Sequence, residues 1–186
     1  MGKSDIHLVS GDDEVERQFR AVMRRLAGGV TIITAGHDDD ITGMTVTSLT
    51  SLSASPPRLL VSVNRQASSF ARIARYGIFG VNILGSGQQA LAGRFSDGSL
   101  KGHERFDGIR WSGVPLLGDT LATIECKVEE IIERHSHGII IGSLLSFELS
   151  HELSGLVYWN GQYIRITHDF DLDLLAEISI PLAHVR

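Results

Sequence analysis

The chain is poor in features that mark several large protein classes. Its 186 residues include one cysteine, Cys126, so an internal disulfide framework is excluded and a reducing compartment, the cytoplasm, is expected. Proline is scarce at 4 residues and aromatic residues make up only 6%, which leaves no collagen-like or low-complexity reading. No apolar run approaches the ~20 residues of a spanning helix, so no membrane association is expected. Residues 1–14 show no signal-peptide core, and Ile6 stands where a myristoylation signal wants Ser or Thr. A basic surplus is lacking too. Seventeen Lys and Arg face 22 Asp and Glu for a net charge of −5, which argues against a nucleic-acid partner.

What is present reads as an ordinary globular chain, with 42% hydrophobic and 21% charged residues. The length suits a single domain over residues 1–186, with a core from about 19 to 166, an N-terminal arm over 1–13 and a C-terminal tail over 167–186. Twenty glycines favour tight turns between short strands. From Glu14 to Leu26 the apolar set Val15, Phe19, Val22, Met23 and Leu26 has helical spacing, with Asp12 or Asp13 as cap and Gly28-Gly29 as stop. Strands follow at Val30–Ala35 and Ile41–Leu49, around a polar loop. Ser53-Ala54-Ser55-Pro56-Pro57 should break the chain, because neither proline can donate to a ladder.

Arg58–Val63 is a short strand, Ser68–Tyr76 a helix capped by Ser68, with Phe70, Ile73 and Ala74 facing inward and Gly77 as stop, and Ile78–Leu84 a buried strand. Gln88–Phe95 is a short helix, and Ser96–Gly108 a surface loop free to move. Two long strands, Leu121–Arg134 and Gly138–Leu149, flank a turn at His135-Ser136-His137. Asn160-Gly161 between aromatic flanks is a type I′ hairpin signal. The fold class expected from six or seven strands joined mostly by hairpins is mainly β. It is an antiparallel, Greek-key-like barrel with peripheral α-helices.

Several motifs are set aside. Gly85-Ser86-Gly87-Gln88-Gln89-Ala90 matches a dinucleotide fingerprint, but a polar loop follows it where a parallel strand is required. Glu133, His135 and His137 share a strand face, yet no third His or Cys stands at a ligand spacing, so no metal is expected. Cys126 reads as a small buried residue of a strand, and the tryptophans and tyrosines as packing residues.

The informative stretch is Gly43–Pro57, which carries seven hydroxyl residues in fifteen and no charge. One reading is a strand and turn whose hydroxyls face water. The other is a surface for a polar, planar ligand such as an isoalloxazine. Small side chains let the backbone approach a ring, and hydroxyls reach a phosphate.

Longer word order separates these readings. Phe19-Arg20, Met23, Leu26, Gly28-Gly29-Val30-Thr31-Ile32-Ile33-Thr34, then Gly43-Met44-Thr45-Val46-Thr47-Ser48 and Ser62-Val63-Asn64 with Ser68, resemble the flavin reductase-like family of FMN-binding split barrels. So do Phe79–Leu84, Arg94-Phe95, Leu116–Cys126 and His137-Gly138 with Ile141-Gly142. The resemblance spans about Phe19 to Ile166. It implies an antiparallel split β-barrel and a homodimer that reduces FMN or FAD with NADH or NADPH. It also implies a separate flavin-dependent monooxygenase component that receives the reduced flavin.

Carried over by position, Thr45, Val46, Thr47 and Ser48 would line the flavin, and Ser51 and Leu52 would continue that lining. Ser62, Val63, Asn64, Ser68, Ser69 and Phe70 would surround the phosphate end. Phe95 would sit near the ring and His137 near the nicotinamide. The family often has Gly-Asp-His before the glycine, where Arg134-His135-Ser136-His137 stands here, so His135 is the fallback for that role. Lys101, His103 and Arg105 could meet nucleotide phosphates from the loop, but a solvated loop is the favoured reading of that segment. Two other functions fit the same barrel: a flavin- or haem-related binding protein without turnover, and a different FMN oxidoreductase.

Overall fold

A computed structural model describes residues 12–167. The C-terminal tail after 167 and the arm before residue 12 lie outside the described residues. In chain order the elements are α1 (Asp12–Met23), β1 (Gly28–Gly29), β2 (Thr31–Ala35), β3 (Thr42–Val46), β4 (Thr50–Ala54) and β5 (Pro57–Asn64). Then come α2 (Ser68–Tyr76), β6 (Ile78–Ile83), α3 (Gln89–Ser96), a 3-10 turn (Gly102–Phe106), β7 (Trp111–Ser112) and β8 (Leu116–Leu117). The chain continues with β9 (Ala122–Arg134), β10 (His137–Leu149), β11 (Gly155–Trp159) and β12 (Gln162–Ile166).

Seven strands form one sheet in the order β3-β2-β6-β9-β10-β5-β4, and every pairing in it is antiparallel. The two edge strands, β3 and β4, are consecutive in the chain. The sheet curls so that Met44 and Val46 of β3 share a core with Leu59, Val61 and Val63 of β5. The Ser48 hydroxyl donates to the Ser62 carbonyl at 2.8 Å across the remaining gap. The result is the expected antiparallel barrel, split between its edges. Asn160 and Gly161, at φ 51° and 84°, make the expected I′ turn between β11 and β12, and β1 joins them as a small second sheet.

Strand β2 is buried at every residue. Ile33 and Ala35 point into the barrel beside Phe79, Val81, Cys126 and Ile140. On the other face Ile32, with Val30 before the strand, packs under Leu84, Ala92, Phe95, Phe106 and Leu117. Asn82, fully buried on β6, stitches this outer layer to the sheet. Its amide donates to the Ile32 carbonyl at 3.0 Å and the Thr34 hydroxyl at 3.2 Å, and its oxygen accepts from the Leu117 N–H at 2.7 Å. Thr34 in turn donates to the Pro115 carbonyl at 2.5 Å.

Several expectations are corrected. The prolines do not break the sheet: Ser55–Pro56 is a cis peptide in a tight turn, and Pro57 opens β5 opposite Ala54. Thr50–Ala54 is accordingly a strand, and Leu52 is its bulge residue. In α2 Ser68 lies inside the helix and caps nothing; Ala67 is the N-cap. Ser69 and Ile73 are the buried pair, while Ala74 is exposed. Gly77, left-handed at φ 67°, ends the helix as expected. Trp111, Trp159 and Tyr158 stay more than a third exposed.

The helix expected near the N-terminus is present as α1. Its Asp13, Glu16, Arg17 and Arg20, with Arg24 just after it, face a groove of about 830 Å³ shared with Thr47, Tyr158 and Asn160. Met23 and Leu26 of the apolar stripe line the same groove, yet the stripe stays open, with Phe19 63%, Val22 66% and Leu26 65% exposed. The helix is tied to the barrel at its end, where the Asn160 N–H donates to the Arg24 carbonyl and the Trp159 indole to the Arg25 carbonyl. Residues 96–108 also differ from a free loop. Phe106 is buried edge-on to Phe95 at 5.1 Å, and Arg94 donates to the Asp107 carbonyl at 2.6 Å.

Asn82 gives a test of how the layers are joined. Asn82→Ala leaves the Leu117 N–H and the Ile32 carbonyl without their partner in a dry interior. Urea denaturation should show a loss of about 2–4 kcal/mol.

Candidate functional site

The hydroxyl-rich segment, the end of β5, the start of α2 and the start of β10 meet at one corner of the barrel. Register puts them there. Asn64 pairs with His137, Val63 with Gly138 and Ser62 with Ile139. The Thr42 and Ser68 hydroxyls lie 2.9 Å apart and join β3 to α2. Ser48 reaches Ser62 from the opposite edge of the split. Phe70, on the first turn of α2, lays its ring over Gly138, where any Cβ would strike it.

The turn entering α2 is built from side chains as well as backbone. Asn64 Oδ1 accepts from the Gln66 N–H at 2.9 Å, and the Asn64 carbonyl accepts from the Ala67 N–H at 2.9 Å. This Asx turn delivers the Ser68 and Ser69 amides, the first two of α2, to the corner, while the Phe70 N–H is already given to the Ala67 carbonyl at 3.0 Å. Ser69 is 1% exposed and its hydroxyl has no hydrogen-bond partner. A buried unpaired hydroxyl beside free helix amides suits an anionic acceptor.

His137 is exposed at the start of β10, and its Nδ1 lies 2.8 Å from the Ser136 hydroxyl. Arg65 holds the turn before it. Its N–H donates to the Ser136 carbonyl at 2.9 Å, its guanidinium donates to the His135 carbonyl at 3.3 Å, and it pairs with Glu133 at 2.5 Å. Sequence reasoning passed over Arg65, whose signal was its place directly after Ser62-Val63-Asn64. His135 sits left-handed at φ 49° in the turn, and Glu133 is taken up by Arg65.

Not every expected residue reaches the corner with its side chain. Val46 and Val63 point into the barrel core, so only their backbones are available. Phe95 is 1% exposed in the outer core, against Gly43 and Phe106. Ser51 and Leu52 lie exposed on the far edge strand. Thr45 is half-buried with its hydroxyl given to the Ala92 carbonyl at 2.7 Å, while Thr47 is exposed and lines the α1 groove. Gly28 packs so closely on Thr47 that an added Cβ would sit 2.8 Å from the threonine Cβ.

Comparison with known proteins identifies the family and the fold. Residues 23–167 match the flavin reductase-like domain. The chain is 34% identical over 171 residues to the reductase subunit HsaB of a flavin-dependent monooxygenase from Rhodococcus jostii, covering 87% of this chain and 86% of that protein. It is 32% identical over 158 residues to the FMN reductase (NADH) RutF 2 of Rhizobium rhizogenes, covering 83% and 91%. Among solved structures, the NADH:FAD oxidoreductase SgcE6 of Streptomyces globisporus, in complex with NAD and FAD fragments, superposes with a TM-score of 0.79. It is 30% identical to this chain, with 89% of this chain and all of that one covered.

The corner offers hydroxyls, amides and an imidazole but no activated thiol. Cys126 is fully buried in the barrel, and burial, with Glu125 beside it, pushes its thiol up to about 12. The folded protein should therefore leave a thiol-specific disulfide reagent unreacted at pH 8, and denaturant should release one equivalent of reactive thiol.

Proposed function

The chain belongs to the flavin reductase-like domain family and is an NAD(P)H:flavin oxidoreductase, and from that premise we propose that the corner between β3, β5, α2 and β10 holds the flavin while His137 orients the nicotinamide. The observation that carries this reading is the buried, unpaired Ser69 hydroxyl at the start of α2, close to a segment of uncharged hydroxyl residues. Ser68, Ser69 and the first-turn amides take the flavin phosphate, with Asn64 and the Ser62 and Val63 backbones beside it. Thr45, Val46, Thr47 and Ser48 line the ring and ribityl chain, Thr47 through its hydroxyl and Val46 through its backbone. Ser51 and Leu52 extend the lining from β4. Phe70 steadies the phosphate end by fixing Gly138, and Phe95 supports the ring side from beneath Gly43.

When bound, flavin supplies the electron sink for a hydride from the reduced nicotinamide. The residues therefore bind, orient and exclude water, and no acid–base triad is demanded of them. His137 is held for its part by the Arg65-anchored turn, with the Ser136 hydroxyl fixing its ring. NADH is taken as donor because RutF 2 and SgcE6 are named for it. A flavin-dependent monooxygenase is the consumer of the reduced flavin, as for HsaB. No helix of the described residues is long and apolar enough to cross a membrane. We place the reaction in the cytoplasm on the strength of the lone reduced cysteine and the reduced nicotinamide it needs.

The protein works as a homodimer. The α1 stripe and the exposed row Leu145, Phe147 and Leu149 on β10 are apolar surfaces that the described residues of one copy leave uncovered. A second copy gives both a partner and encloses an otherwise open corner.

Oxidation of NADH by the full chain, followed with and without added FMN or FAD, tests the activity; flavin binding without turnover would leave only a binding protein. In stopped-flow reduction, His137→Ala should slow hydride transfer or raise the KM for NADH by roughly tenfold, while flavin affinity barely changes. A parental rate and parental saturation would remove His137 from the site and turn attention to His135. For assembly, sedimentation at micromolar concentration should give twice the chain mass, and Phe19→Glu should shift it toward a single chain. A monomer that still binds flavin tightly refutes the dimer.

A further inference from the structure

Resting on the reading that β3 lines the flavin, we infer that Arg105 is a positioning residue for that strand. β3 is an edge strand with backbone pairing on one side only, so its open side has to be steadied by something else. Arg105 does this from the loop. Its guanidinium donates to the Gly43 carbonyl at 2.6 Å and to the Asp97 carbonyl at 2.8 Å. Asp97 is the C-cap of α3, so the second bond satisfies a carbonyl at a helix end where positive charge is favoured. One planar cation thereby ties the strand to the helix through two charge-assisted bonds.

Two further contacts act with it. The Phe95 ring of α3 fills the space above Gly43, where a Cβ would lie 2.7 Å from the ring. The Thr45 hydroxyl binds the Ala92 carbonyl of the same helix. Gly43 is thus held on its face by Phe95 and at its carbonyl by Arg105, directly before Thr45–Ser48. The loop that carries Arg105 is itself anchored by Phe106 and by Arg94, and so serves as a fixed brace. From sequence Arg105 stands between a solvated loop and a contact with nucleotide phosphates; in the structure its guanidinium is given to two backbone carbonyls.

The test compares Arg105→Ala, Arg105→Lys and Thr47→Glu by equilibrium flavin titration, amide hydrogen exchange across β3 and thermal melting. Arg105→Ala should weaken flavin affinity by about tenfold and speed exchange at Met44–Ser48, measured well below its melting temperature. Arg105→Lys retains the charge but not the two-pronged reach, so its affinity should fall between the two. Thr47→Glu, which crowds the proposed flavin lining directly, should weaken affinity without speeding that exchange. If Thr47→Glu weakens binding while Arg105→Ala binds flavin as the parent does, the brace is overturned even where stability falls. Unchanged affinity in both variants overturns the placement of flavin along β3, and the brace with it. Should Arg105→Ala fail to fold, the lysine variant decides: intermediate affinity supports the brace, and parental affinity overturns it.

Discussion

The burial of β2 on both faces is the constraint from which the rest of the molecule follows. A strand with Ile33 and Ala35 inside the barrel and Ile32 outside it cannot end at a single hydrophobic layer. The outer face needs a cover, and α3, Phe106, Leu117 and Leu156 provide it. Covering a strand from outside also brings foreign polar groups over the sheet, and Asn82 and Thr34 satisfy them. The segment of residues 96–108 is composed like a surface loop, yet it behaves as part of this outer layer.

Much of the architecture was legible because hairpin chemistry is local. Asn160-Gly161 demanded a I′ turn, Gly77 a helix stop, and two long runs on either side of the His135–His137 turn gave the β9–β10 pair. Misreadings arose where context outweighs local preference. Pro57 is tolerated because it opens its strand, a position where its missing donor disturbs the ladder least. The spacing of α1 correctly gave a helix and an apolar face, but not that the described residues leave that face exposed. Amphipathicity states that a stripe will be covered and is silent on which molecule covers it.

The corner itself was legible only as a set of words. Ser62-Val63-Asn64, Ser68-Ser69-Phe70 and His137 are far apart in the chain, and strand register brings them together. Residue type alone could not distinguish Phe70, which covers Gly138, from Phe95, which belongs to the core beneath β3. Arg65 and Arg105 looked like solvated charges in polar segments. Their roles depend on carbonyls of distant strands, His135 and Gly43, and no spacing rule reveals those partners.

The strand order also has a bearing on how the chain is made. The β9–β10 hairpin fills the space between β6 and β5, so these earlier strands have no direct pairing with each other. As the polypeptide leaves the ribosome, β2, β3 and β6 can assemble as one ribbon and β4 and β5 as another. Both carry open edges until residue 149 has emerged. Pairing Ser62 with Ile139 spans most of the barrel's length in sequence, a topology that favours slow closure and a period of exposure to wrong partners. For this fold, synthesis of the last long hairpin is the step that converts two unfinished ribbons into a barrel.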